Sequence, residues 1–369
     1  MASVVVAWAG APARAAEVSR EAATAAAFEA LKQRPAELTA FLRAMPKGGD
    51  LHNHLSGAIY AESWIAWAAE DGVCVDLAEL VLSKPPCDSV KGRVAVATVL
   101  GDELFTDRLI DALSVRNYKI YGRSGHDQFF ATFSAFDPAG KGRGVDMLVE
   151  VVTGAAEQNI SYLELMGSAG MSSARKLAAD LAWDDDLKAL RGKLADKDID
   201  RIVQEVAGGI DALMAGVRKA LECDTKHPPA CDVTVRFLAQ VIRVFPPEQV
   251  FAQVLYGYHL AKVSPHVVGI NLVGPEDDRV TLAGYARQMA SVAFVGAEVP
   301  GVAAALHAGE LTMGLVPPKD LRFHVREAVL TAGARRIGHG VDILYEDDPY
   351  GLMAEMVERG VMVEILLTS

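Results

Sequence analysis

A chain of 369 residues with 51% apolar side chains can bury a large core, as one barrel-sized domain or as two ordinary ones. Its 36 basic and 48 acidic residues give a formal charge of −12, which repels nucleic acid and anionic membrane, and no local basic patch reverses it. No stretch reaches the roughly 18 apolar residues of a membrane span, so the expectation is a soluble globular protein with no nucleic-acid and no membrane partner.

In chain order, the apolar run Val4 to Ala9 followed by Ala11-Pro12-Ala13-Arg14-Ala15-Ala16 resembles the tail of a secretory signal with an A-x-A cleavage site, although no basic residue precedes it. The expectation is a signal remnant over 1–16 and a periplasmic or secreted location; a frayed Ala-rich terminus on a cytoplasmic protein is the alternative. A helical extension follows over 17–45. Val18 to Arg34 is Ala-rich, and Pro35 suits the first turn of a second helix with Leu38, Phe41, Leu42 and Met45 on one face. Lys47-Gly48-Gly49 then turns the chain into a strand at Asp50. After Gly57, a helix bearing Ile59, Trp64, Ile65 and Trp67 leads into a long, weakly patterned insertion over about 72–144, a length that suits a lid. Within it, Asp127 to Phe133 reads as an aromatic helix that either roofs an apolar pocket or packs its own rings inward.

From Val145 onward strand and helix alternate. The predicted strands are Ser161 to Met166, Val233 to Leu238, Val267 to Gly274, Val302 to His307, Arg335 to Gly340 and Val361 to Leu367. The predicted helices are Met147 to Gln158, a stripe from Ile199 to Leu221, Pro247 to Val263, Leu282 to Phe294, Leu321 to Ala332 and Pro349 to Arg359. This alternation argues for parallel β with crossover helices, either a (β/α)8 TIM-type barrel over 46–369 or an open doubly wound sheet. The open sheet would want a G-x-G-x-x-G after its first strand, and there is none.

The four cysteines fall into two close pairs, Cys74 with Cys87 and Cys223 with Cys231. Two small disulfide loops in an oxidising compartment fit this spacing; four cysteines allow three connectivities, and reduced thiols or a structural zinc are the alternatives. The runs Asp184-Asp185-Asp186 and Glu346-Asp347-Asp348 read as solvated loop or helix-start charge, with a carboxylate metal site as the alternative.

Chemistry concentrates where strands end. Side chains of a strand alternate faces, so His52 and His54 point the same way while Asn53 points the other, and two imidazoles on one face can chelate a metal. Gly274, His307 with Glu310, and His339 also fall at strand ends, which in a (β/α)8 barrel share one mouth.

Met45 to Gly57, Val268 to Gly274, His307-Ala308-Gly309-Glu310, Ile337-Gly338-His339-Gly340 and Glu364 to Ser369 together resemble the successive motifs of the adenosine deaminase family of metal-dependent hydrolases, from about residue 40 to the end. The long insertion and signal-like start are more similar to its extracellular growth-factor-like branch. The resemblance implies one zinc ion per chain on His52, His54 and His307, and hydrolytic deamination of adenosine or 2′-deoxyadenosine to inosine and ammonia. In that scheme Glu310 protonates the purine ring nitrogen, His339 takes or orients the proton of the attacking water, and Gly274 lends a backbone N–H to the base.

Two departures qualify it. Where many members carry an acidic residue that meets the ribose, this chain has Ser56. The family also completes its zinc shell with an Asp on an eighth strand, whereas this sequence ends at Thr368-Ser369, after the seventh. The expectation is therefore an incomplete barrel, a fragment of a longer product, with impaired activity in this chain. The alternatives are a deaminase of another purine (adenine, AMP or an N6-methylated one) and a non-catalytic barrel with a binding or signalling role.

Overall fold

In the computed structural model, residues 12–195 and 197–366 are described. Most of the predicted signal remnant over 1–16, and Leu367, Thr368 and Ser369, lie outside them.

The chain opens with α1 (Pro12–Leu31) and α2 (Pro35–Ala44), the latter starting on Pro35, whose missing N–H costs nothing in a first turn. Strand β1 (Gly48–His54) and helix α3 (Ala61–Glu70) follow. The insertion then has structure of its own. An antiparallel sheet in the order β3-β2-β4 is built from β2 (Cys74–Asp76), β3 (Leu82–Ser83) and β4 (Arg93–Ala95), beside α4 (Glu103–Ala112) and α5 (Gly125–Phe136). Trp64, Ile65, Val75, Val96, Leu109 and Phe136 give it a separate apolar core. Its strands are two or three residues long, too short for periodicity to register, which is why the sequence looks weakly patterned there.

The remainder alternates: α6 (Gly144–Glu157), β5 (Ile160–Gly167), α7 (Met171–Leu177), α8 (Leu187–Ala195), α9 (Ile199–Ala220), β6 (Thr234–Ile242), α10 (Pro247–Val263), β7 (Val267–Val273), α11 (Arg279–Glu298), β8 (Ala303–Ala308), α12 (His324–Arg326), β9 (Arg336–His339), α13 (Pro349–Arg359) and β10 (Met362–Glu364). Among the described residues, seven parallel strands pair in the order β1-β5-β6-β7-β8-β9-β10, a TIM-type barrel sheet left open between β1 and β10. Alternation sorts the faces. Phe237, Ala239 and Val241 of β6 join the large core beneath the helices, while Leu238 meets Met166, Val273 and Ala305 in a small cluster.

Polar side chains link the strands on either side of the opening. Glu364 of β10 accepts from His52 Nδ1 of β1 at 2.7 Å and from Arg336 Nε of β9 at 2.6 Å, and Arg336 also pairs with Glu164 of β5. A buried carboxylate needs such donors to be tolerated.

Some expectations need correction. α7 and α8 were not predicted; both are short. The helix expected over Leu321 to Ala332 is one α turn, α12, continued by a π turn at Glu327–Thr331. The acidic runs divide. Asp186 and Asp348 accept amides at the starts of α8 and α13, as helix-start charge should, but Glu346 is 4% exposed and accepts the Val325 and Arg326 amides. Both local cysteine pairs form disulfides, Cys74–Cys87 and Cys223–Cys231, with Cα separations of 5.5 and 5.7 Å.

Candidate metal centre

His52 and His54 reach the mouth from the end of β1, but not by plain alternation. Between Asp50 and Asn53 the pairing with β5 slips by one residue, a bulge held by Asp50, whose carboxylate accepts the His52 amide at 3.1 Å and the Asn53 side chain at 2.9 Å. His307 stands at the end of β8. The ligand atoms of His52, His54 and His307 all lie within 4.8 Å of one another, and the Nε2 atoms of His54 and His307 are 3.2 Å apart. Two nitrogens bonded at 2.0–2.1 Å to one tetrahedral ion would be about 3.3 Å apart.

Each ring is oriented from behind. Nδ1 faces Glu364 in His52 at 2.7 Å, Gln240 in His54 at 3.4 Å and Asn271 in His307 at 2.7 Å. All three acceptors are oxygens, so Nδ1 carries the proton and the Nε2 lone pair is left for a cation. Burial, with the neighbouring His52, pushes the His54 imidazole down to about 4 and holds His307 well below its usual value. Three preoriented ring nitrogens on two strand ends, β1 and β8, fit a metal ion.

Glu310 and His339 sit beside this triad. His339 packs its ring 5.0 Å from that of His52 and 5.1 Å from that of His307, and its Nδ1 lies 3.5 Å from Glu310 Oε1. Its φ of +74° is an uncommon conformation for a residue with a side chain, a strain found most often at functional sites. Burial is the largest influence on both groups: it pushes Glu310 up to about 7 and His339 down to about 3. Gly274 ends β7 at φ +101°, and its carbonyl accepts from Arg243 Nε at 2.9 Å.

A cavity of about 590 Å³ opens next to the imidazoles, with Ser56, Phe133, Met166, Ser168 and Gln240 in its lining. It meets the triad through Gln240, bonded to His54, and Phe133, whose ring lies 6.3 Å from that of His54. Of the segment Asp127 to Phe133 on helix α5, Phe133 lines the cavity; Phe136, beyond that segment, lines it too and stacks on Trp64 at 4.9 Å. At its start His126 Nε2 lies 3.0 Å from Asp277 on the β7–α11 loop, tying the helix to the mouth.

The family model for adenosine deaminase matches residues 144–369. The chain belongs to the adenosine deaminase family. An adenosine deaminase of Clostridium perfringens (strain 13 / Type A) is 28% identical over 156 residues, 42% of this chain and 39% of the relative, so the chain matches well under half the length of that curated protein. Among solved structures, Arabidopsis ADAL complexed with IMP is similar at a TM-score of 0.50 and 19% identity, over 89% of this chain and 72% of that one. A zinc-bound amidohydrolase from Burkholderia ambifaria gives 0.48 and 20%, over 89% and 67%. Family membership and the ADAL likeness agree with the barrel sheet described above.

The structure thus gathers His52, His54, His307, Glu310 and His339 at one mouth, with Gly274 bounding it through Arg243. Sequence reading gave no part to Asn271, Gln240, Arg243, Glu276 or the carboxylate of Glu364. Asn271 and Glu364 lie inside the quoted motifs and Glu276 two residues beyond one, so position relative to a strand end was the available signal. Gln240 and Arg243 sit at the end of β6, where no motif points. His126 and His324 lacked motif support, yet one ties down α5 and the other is fully buried against Glu276.

Proposed function

We propose that the chain is the catalytic part of a zinc-dependent aminohydrolase that converts adenosine or 2′-deoxyadenosine, or a close purine relative, to the 6-oxo product and ammonia. The observation that carries this reading is the convergence of ring nitrogens of His52, His54 and His307 within 4.8 Å of one another, beside a carboxyl group pushed up to about 7. His52, His54 and His307 would hold the zinc, which when bound supplies the Lewis acidity that makes water a nucleophile near neutral pH. Glu310, partly protonated at that pH, can donate to the ring nitrogen as the purine loses aromaticity, a transfer that lets oxygen add at C6 and the C6–N6 bond break. His339, held neutral beside Glu310, can accept the water proton and pass it to the leaving ammonia. Phe133 and Met166 offer the base an apolar surface, and Ser56 and Ser168 offer hydroxyls to a sugar; Gly274 keeps the part that the family resemblance gives it, an amide to the base.

Which purine is turned over is a second question. Ser56 stands where many relatives have an acidic residue, and a neutral hydroxyl does not repel a 5′-phosphate; the ADAL structure carries IMP. Nucleoside and nucleoside monophosphate are thus both substrates to assay. The two disulfides support an oxidising compartment, hence export.

The test is a zinc-loaded preparation assayed by the ultraviolet change on conversion of adenosine, 2′-deoxyadenosine, adenine and AMP, with zinc content measured per chain. About one zinc, and turnover abolished by His307→Ala, is the expected result. A chain that binds zinc stoichiometrically but turns over none of these purines would overturn catalysis by this chain and fit either the impaired fragment or the non-catalytic barrel.

A further inference from the structure

Behind the metal centre lies a fully buried ionic cluster that the reaction scheme does not use. Glu276, on the loop after β7, is 1% exposed, and Arg243 and His324 are at 0%. Glu276 Oε1 accepts the Gly309 amide at 3.0 Å and the His324 Nδ1 proton at 2.7 Å, and Oε2 accepts the Glu310 amide at 2.8 Å. The Arg243 guanidinium stands 3.9 Å away and donates to the His307 carbonyl at 3.1 Å. The His324 ring stacks on Tyr285 at 3.7 Å, and the Tyr285 hydroxyl donates to the His324 carbonyl.

The segment from His307 to Glu310 is therefore held at almost every backbone group. The His307 amide goes to Asn271 and its carbonyl to Arg243; the Ala308 and Gly309 carbonyls accept from Gly340 and Asp342; the Gly309 and Glu310 amides go to Glu276. Gly309 has φ +74°, and a Cβ there would sit 2.3 Å from Asp342 Oδ1. A bare pair of amides needs only neutral acceptors. A buried carboxylate in that place, stripped of its hydration, calls for another reason.

We propose that Glu276 is a positioning residue: through the Gly309 and Glu310 amides it fixes where the Glu310 side chain stands, and its own charge opposes a second negative charge at that spot. The inference rests on the reading of Glu310 as the proton donor. Burial would raise the Glu276 carboxyl, but His324, Arg243 and the Gly309 amide outweigh it and hold Glu276 below the usual carboxylate range. Burial is what chiefly raises Glu310; Arg243 and His126 pull it down, and the charges of Glu276 and Asp277 work with burial to keep it protonated.

The experiment is 13C NMR of the zinc-loaded protein labelled at the glutamate side-chain carboxyl, with the Glu310 signal assigned by its loss in Glu310→Gln. In Glu276→Gln the Glu310 titration midpoint should fall by about one pH unit or more while zinc content stays the same. A midpoint that does not move in a folded, zinc-binding variant overturns the proposal. Hydrogen exchange on the unmodified protein covers a variant that fails to fold: the Gly309 and Glu310 amides should exchange as slowly as those of β8, and exchange at loop rates overturns the proposal as well. Failure of the reading beneath it looks different, because Glu310→Gln would then leave deamination intact whatever Glu276 does.

Discussion

Glu310 shows how one environment sets one function. Taken out of water beside the buried carboxylate of Glu276, it is pushed up to about 7, so near neutral pH it still holds a proton to give. As pH rises through that value the donor is lost, and kcat/KM for the adenine ring should fall on the alkaline side. Glu310→Gln should lower kcat by about 10²–10⁴ with zinc content unchanged, a comparison made by parallel rate and metal assays. Asn271 is the residue whose part was least evident. It fixes His307 through both the ring Nδ1 and the backbone amide, so Asn271→Ala should weaken zinc binding by about 10–100-fold in a chelator competition while far-ultraviolet circular dichroism stays unchanged.

The element on which substrate access turns is α5. It carries Phe133 to the cavity and is tied at its first turn by His126 to Asp277. Burial pulls the His126 pKa down, but its bonds to Asp127 and Asp277 outweigh this and leave it raised. A histidine with a raised folded pKa contributes stability that is complete below its unfolded value and is lost as pH rises through the folded one. The clasp should therefore be tightest in mild acid and loosen toward alkaline pH. His126→Ala should raise KM more than it lowers kcat at pH 6, and the difference from wild type should shrink by pH 8; a pH-independent effect on KM would argue against a protonated clasp. The same insertion is pinned by Cys74–Cys87, which closes a loop of 13 residues. Cys74→Ala with Cys87→Ala should cost about 2–4 kcal/mol in denaturant unfolding of the insertion.

Across the whole molecule, several acids sit where burial outweighs their partners. Burial pushes Asp342 up to about 8 and Glu310 to about 7, and raises Glu346 as well. For an acid, a raised folded pKa means that the folded state holds a proton the unfolded chain has released. Stability is then greatest below the unfolded values near 4 and falls as pH rises through 7 and 8. Thermal melts at fixed zinc should show Tm declining from pH 6 to pH 9. Asp342→Asn should flatten that decline, since Asp342 is 1% exposed and neither of its carboxylate oxygens has a hydrogen-bond partner. A wild-type Tm that holds level over this range would mean that these acids are better solvated than their burial implies.

The sequence by itself determined the alternation of strands and helices, α10 and α13 to the residue, the starting proline of α2, the local cysteine pairing and the placing of five polar side chains at strand ends. Each of these is local: a period, a cap, a short loop or a motif survives in one dimension. The tertiary structure decided the rest. The oxygen behind each imidazole comes from a distant strand, Glu364 lying 312 residues from His52, Gln240 186 from His54 and Asn271 36 from His307. The small sheet in the insertion, the bulge at His52, the burial of Glu346 and the Arg243–Glu276–His324 cluster left no period to read. Whether a carboxylate is solvated or buried depends on what folds over it, and a charged residue in a sequence carries no mark of its eventual dielectric.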